Sequence, residues 1–165
     1  MDQVMGRVLQ RGPVGRSDLK ACGAVIYAKD THRVLFLLRD GDKHQNTWAL
    51  AGGKVEEGET ISEGLHRELR EEIALDAKDL KMIPLELFKS KDKHFEYHTF
   101  VCLVDHEFVP TLNEEHKGYA WCAVDSFPRP LHPGLWSSWS NKEIRKKLET
   151  IKQVLEITQA DSIIV

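Results

Sequence analysis

The chain has 165 residues, of which 41% are apolar and 30% charged, with a formal net charge of −3. That length suits one well-buried domain and is short for two, and the composition is that of an ordinary globular protein. The acidic balance gives no electrostatic reason to expect duplex nucleic acid as a partner, and no apolar run approaches the ~20 residues that span a bilayer.

Residues 1–18 are polar and glycine-bearing, with Arg7, Arg11 and Arg16, and read as an arm or edge strand ahead of a single domain over 19–165. The start, MDQVMGRVLQRG, lacks the apolar centre of a signal peptide. Ala21–Ala28 and Val34–Leu38 are short apolar runs split by the turn-like KDTHR, which predicts a hairpin. Trp48-Ala49-Leu50 is a third extended piece, and Gly52, Gly53 and Gly58 follow it as a tight turn. From about residue 60 the pattern changes to that of a helix. Ile61, Leu65, Leu69 and Ile73 step by four, and Thr60 with Glu63 forms a capping box.

This helix and the turn before it are unusually acidic. Glu56, Glu57, Glu59, Glu63, Glu68, Glu71 and Glu72 face only Arg67 and Arg70. Like charges four apart cost about 0.2–0.5 kcal/mol per pair. At about 100° per residue, Glu68, Glu71 and Glu72 fall on one face, overlapping the apolar stripe. Carboxylates so placed raise one another's pKa values unless a cation sits among them. Oxygen-only ligands suit Mg²⁺, with Mn²⁺ as a substitute, and a backbone carbonyl of the glycine turn is within reach of such an ion.

Beyond the helix, Met82–Phe88 and Phe95–Val104 flank the charged turn KSKDK, and Tyr119–Val124 is a further strand. Pro128, Pro130, Pro133 and Gly134 mark a loop. A last helix is expected from Ser140, capped by Ser140 with Glu143, its apolar face formed by Ile144, Leu148, Ile151 and Leu155. Cys22, Cys102 and Cys122 are odd in number and lack metal-ligand spacing, as reduced thiols in a cytoplasmic setting would. His94, His98, His106 and His116 fit no zinc template either. Strands, helix, strands and helix predict an α/β layer architecture around a mixed sheet.

The stretch from Gly53 to Leu75 resembles the Nudix hydrolase signature. Gly53, Glu59, Arg67, Glu68, Leu69, Glu71, Glu72 and Leu75 stand in register with it. Ala74 replaces the glycine near its end, and Ala51 replaces a proline common upstream. The resemblance implies an α/β/α sandwich and a Mg²⁺-dependent hydrolase that cleaves the diphosphate linkage of a small nucleoside diphosphate derivative. Nucleotide sugars, ADP-ribose, dinucleoside polyphosphates, nucleoside triphosphates and capped RNA are all compatible.

It further implies that Glu68, Glu71 and Glu72 are metal ligands together with the Gly52 carbonyl, and that Arg67 orients them through Glu59. The family often adds a carboxylate from a later loop as ligand or general base. Glu115, six residues before Trp121 and beside Glu114, is the candidate. Arg39 is either a phosphate contact or a plain surface arginine. Tyr97, Phe95, Tyr119 and Trp48 either stack on a base or belong to the core. The rival reading is a non-catalytic nucleotide-binding module on the same fold, which intact charged positions disfavour. A prenyl diphosphate isomerase would call for a cysteine and a glutamate over an apolar pocket, which nothing here marks. A homodimer is left open.

Overall fold

The computed structural model describes residues 18–164, with side chains to Gln159. Residues 1–17, and with them the expected N-terminal arm, lie outside the described residues. The chain runs β1 (Leu19–Ala28), β2 (Arg33–Arg39), β3 (Trp48–Ala49), β4 (Ala51–Lys54), α1 (Ile61–Ile73), β5 (Met82–Lys89), β6 (Phe95–Val104), β7 (His116–Ala123), α2 (Pro133–Trp139) and α3 (Lys142–Ile164).

The sheet is mixed. β1 pairs in parallel with β6 along its whole length, and β5 adds antiparallel to β6. The other edge of β1 is shared: Ala21–Ala24 pair with β4, and Tyr27 with Val34 of β2 closes the expected hairpin. β2 in turn carries β3 and β7. β7 begins at His116, three residues earlier than its apolar run suggests.

β1 is buried from both sides, which is why it reads as an unbroken apolar run rather than an alternating one. Cys22, Ala24, Ile26 and Ala28 face α1, joining Leu65, Leu69 and Ile73 in one core. Val25 and Tyr27 face the opposite way, into a second core with Leu135, Trp139, Ile144 and Leu148 of α2 and α3. The result is the α/β/α sandwich. Cys22, Cys102 and Cys122 are all free thiols.

Helix α1 begins as its sequence dictates: Thr60 accepts from the Glu63 N–H and the Glu63 side chain accepts from the Thr60 N–H. It ends less comfortably. Ala74 is left-handed, at φ 56° and ψ 35°, with the Leu75 N–H reaching back to the Leu69 carbonyl at 3.1 Å. This is the helix ending that glycine favours, so the departure at Ala74 falls where it costs backbone energy.

The proline-rich segment differs from expectation. It is not all loop, because Pro133 occupies the first turn of α2, where its missing N–H is harmless. The His132 ring caps that turn by accepting from the Gly134 N–H at 3.0 Å. Ser140 therefore closes α2 instead of opening α3: its hydroxyl donates to the Trp136 carbonyl at 2.7 Å. Asn141 is the cap of α3, its Oδ1 accepting from the Glu143 N–H at 2.8 Å.

Candidate active site

Strand β4 pairs with β1 and packs against α1, and its two glycines allow close approach on each side. A β carbon on Gly52, whose φ is 154°, would run into the Cys22 carbonyl and stand 2.6 Å from the Gly23 Cα. A β carbon on Gly53 would collide with the Glu68 carboxylate, whose Cδ would be 2.7 Å away. The Gly52 N–H donates to Glu72 Oε1 at 2.9 Å. Bare backbone at Gly52 thus lets β4 lie close against β1, and at Gly53 it leaves room for the Glu68 carboxylate.

Arg67 splints the turn to the helix. Its Nε and Nη2 form a two-pronged pair with Glu59 at 2.7 and 3.0 Å, and Nη2 also donates to the Lys54 carbonyl at 2.9 Å. The third nitrogen reaches Glu68 at 3.2 Å and Glu71 at 3.4 Å. The hydrogen bonds from Arg67 hold the Glu59 carboxyl down at about 2. Arg67 is therefore committed to the turn and to the outer acids, and it leaves Glu72 without a cation.

Glu72 is only 2% exposed. Burial pushes its carboxyl up to about 9, and the charges of Glu68 and Glu115 add to the rise against the opposing Gly52 N–H. Glu68 is raised as well, chiefly by burial, with Glu71 and Glu115 contributing and Arg67 opposing. The loop before β7 thus brings Glu115 to the helix acids. The Glu115 carbonyl accepts from the Asp40 N–H at 2.9 Å, and its own N–H donates to Asn113 Oδ1 at 3.1 Å, which fixes that loop to the end of β2. Glu115 and its neighbour Glu114 are both exposed. Glu71 sits at the outer end of the group, with 56% of its side chain exposed.

This donor set fits a hard divalent cation. The groups are carboxylates and a backbone carbonyl, and the buried member, Glu72, is pushed toward its neutral form by burial beside Glu68 and Glu115, a penalty that a cation among them would relieve. Among the described residues, no three acidic, histidine or cysteine side chains already converge at coordinating geometry. Glu68 and Glu71 lean on Arg67 instead, so an ion would compete with the guanidinium for them. Three of the four candidate histidines are occupied elsewhere, His94 with Asp18, His98 with Glu96 and His106 with Asp30, while the buried His116 Nδ1 has no hydrogen-bond partner among the described residues.

On the opposite side of the glycine strip lies a cavity of about 390 Å³, walled by β5, β6 and α2. Arg39, Phe95 and Tyr97 line it, and the Arg39 guanidinium is steadied by the Lys43 carbonyl at 3.3 Å. The other two aromatics are placed differently. Trp48 packs on the core beneath α2 and α3, and Tyr119 is 39% exposed on β7. Glu86, His132 and Ser138 also line the cavity. The sequence carried no sign of them, because they come from separate segments and share no spacing.

A sandwich in which a glycine strip separates an acidic helix from a pocket is the layout of a hydrolase for phosphoanhydrides. Residues 19–140 match the NUDIX domain, and the chain belongs to that family. It is a pyrophosphohydrolase. Similar proteins include the dihydroneopterin triphosphate diphosphatase of Haemophilus influenzae, 35% identical over 119 residues, 61% of this chain and 71% of the relative. The Escherichia coli K12 protein of the same name is 32% identical over 133 residues, covering 72% of this chain and 84% of that one. The solved E. coli dihydroneopterin triphosphate pyrophosphohydrolase superposes with a TM-score of 0.56 at 26% identity, over 79% of this chain and 92% of that structure.

Proposed function

We propose that this pyrophosphohydrolase is Mg²⁺-dependent and cuts a triphosphate carried by a planar heterocycle, dihydroneopterin triphosphate or a purine nucleoside triphosphate, releasing pyrophosphate and the monophosphate. The observation that carries this reading is the shared wall: Gly52 and Gly53 line the cavity and also touch Glu72 and Glu68. A ring in the cavity therefore leads its phosphates across the strip to the acids. The names of the two curated relatives support a triphosphate over a nucleotide sugar.

Glu68, Glu71, Glu72 and the Gly52 carbonyl would hold the ion, which neutralises the phosphate chain and makes a bound water more acidic. Glu115 takes the proton of the attacking water as its oxygen bonds to phosphorus and the bond to the departing pyrophosphate breaks. Arg67 keeps the turn and Glu68 in place through Glu59 and the Lys54 carbonyl. Arg39 supplies positive charge at the cavity wall for a phosphate, and Phe95 and Tyr97 give the ring an apolar surface.

The test is a panel of dihydroneopterin triphosphate, purine triphosphates, ADP-ribose and a dinucleoside polyphosphate with Mg²⁺, scored for pyrophosphate, and repeated with excess EDTA. Pyrophosphate should appear from triphosphates and stop on chelation. Cleavage confined to ADP-ribose, or undiminished turnover in EDTA, would overturn the proposal.

A further inference from the structure

Strand β5 does not run regularly past the cavity. Pro84 pairs with Phe100 and Glu86 with Thr99, so two steps on β5 match one on β6 and Leu85 is the extra residue. Consecutive residues of a regular strand point to opposite faces, yet Leu85 and Glu86 both line the cavity. A bulge is the device that permits this, and a proline is tolerated beside one.

The bulge is held from both helices behind it. Lys147 of α3 donates to the Leu85 carbonyl at 3.0 Å. Ser138 of α2 donates its hydroxyl to Glu86 Oε1 at 2.6 Å. Glu86 is thus a half-buried carboxylate aimed into a mostly apolar pocket, with no ion pair to a Lys or Arg among the described residues. A carboxylate has about four lone-pair positions, and Ser138 takes one.

We infer that Glu86 is the specificity residue that reads the heterocycle, accepting from a ring N–H and the adjacent exocyclic NH₂ of a 2-amino-4-oxopyrimidine edge, as in guanine and pterins. Two parallel donors match the two carboxylate oxygens in the manner of an arginine fork. Adenine presents an unprotonated ring nitrogen beside its amino group, which sets a lone pair against the carboxylate and rejects that base. The assignment rests on the proposed triphosphate hydrolysis and adds which ring the cavity takes.

The test compares wild type and Glu86→Gln, which keeps the shape and the Ser138 hydrogen bond but replaces one acceptor oxygen with a donor. Two readouts are taken: kcat/KM for GTP against ATP, and Kd for GMP against AMP. Hydrogen bonds to a charged group are strong enough that the guanine-over-adenine preference should fall about 10- to 100-fold in both. A structural role alone would lower both substrates equally. An unchanged ratio, or a wild type that prefers adenine, would overturn the inference while leaving triphosphate hydrolysis intact. If no triphosphate is cut, the proposed function fails, and the GMP-to-AMP binding ratio still decides the role of Glu86.

Discussion

Replacing Glu72 by Gln should stabilise the metal-free fold, and increasingly so as pH rises. Glu72 is 2% exposed and its carboxyl is pushed up to about 9, primarily by burial. In the unfolded chain it returns to the ordinary glutamate value of 4.5. Between those values the folded state binds one proton more than the unfolded state. Stability therefore falls with rising pH, by about 1.36 kcal/mol per pH unit. From about pH 6 to about pH 8 the wild type should lose about 2–3 kcal/mol that Glu72→Gln does not lose. For a chain of this size that difference is roughly 5–10 °C in Tm. Gln keeps an acceptor for the Gly52 N–H, so the strand contact survives. The assay is thermal melting of both proteins in EDTA across that range, followed by Mg²⁺ addition. Mg²⁺ should raise the wild-type Tm and leave the variant nearly unmoved. Parallel pH profiles would refute the claim that Glu72 is a buried acid lacking a counter-charge.

Three further outcomes follow from the site and its frame. Glu115→Gln, at the loop acid that acts on Glu68 and Glu72, should lower kcat about a hundredfold with little change in KM, as loss of a general base does, while Glu114→Gln stays within about twofold on the same steady-state assay. Ala74→Gly should raise Tm by about 1–4 °C, because relief of a left-handed alanine outweighs the entropy glycine adds to the unfolded chain; a lower Tm would contradict the strain. Gly53→Ala should destabilise the fold by about 1–3 kcal/mol in a denaturant titration, since its β carbon meets the Glu68 carboxylate.

The acidic helix was legible in the sequence because its determinants are local. The Thr60–Glu63 capping box, the apolar steps of four and the carboxylate face lie within a few turns of one segment. The hairpin of β1 and β2 was legible for the same reason. Local punctuation misled at Pro133 and Ser140. Proline and glycine usually mark loops, but Leu135 and Trp139, four apart, bury themselves under the sheet and carry a short helix across that segment. Asn141 takes the cap of α3 in place of Ser140, because the Ser140 hydroxyl is bonded to the Trp136 carbonyl. The parallel pairing of β1 with β6 joins residues 76 apart at Leu19 and Phe95, and no short-range pattern encodes it. The bulge at Leu85 was hidden likewise, because it exists only in the register between β5 and β6. The cavity wall thus had to be seen folded, whereas the resemblance to the Nudix signature, and not any local pattern, pointed to Glu115, whose loop lies beside the helix acids.

The most direct measurement is a Mn²⁺ titration followed by electron paramagnetic resonance, on wild type, Glu68→Gln and Glu72→Gln, with pyrophosphate release read on the same samples. Loss of an oxygen ligand at a hard-cation site should weaken Mn²⁺ binding at least about tenfold in each variant and cut pyrophosphate release by about a hundredfold or more. Mn²⁺ affinity and turnover close to wild type in both variants would contradict a metal site on these glutamates.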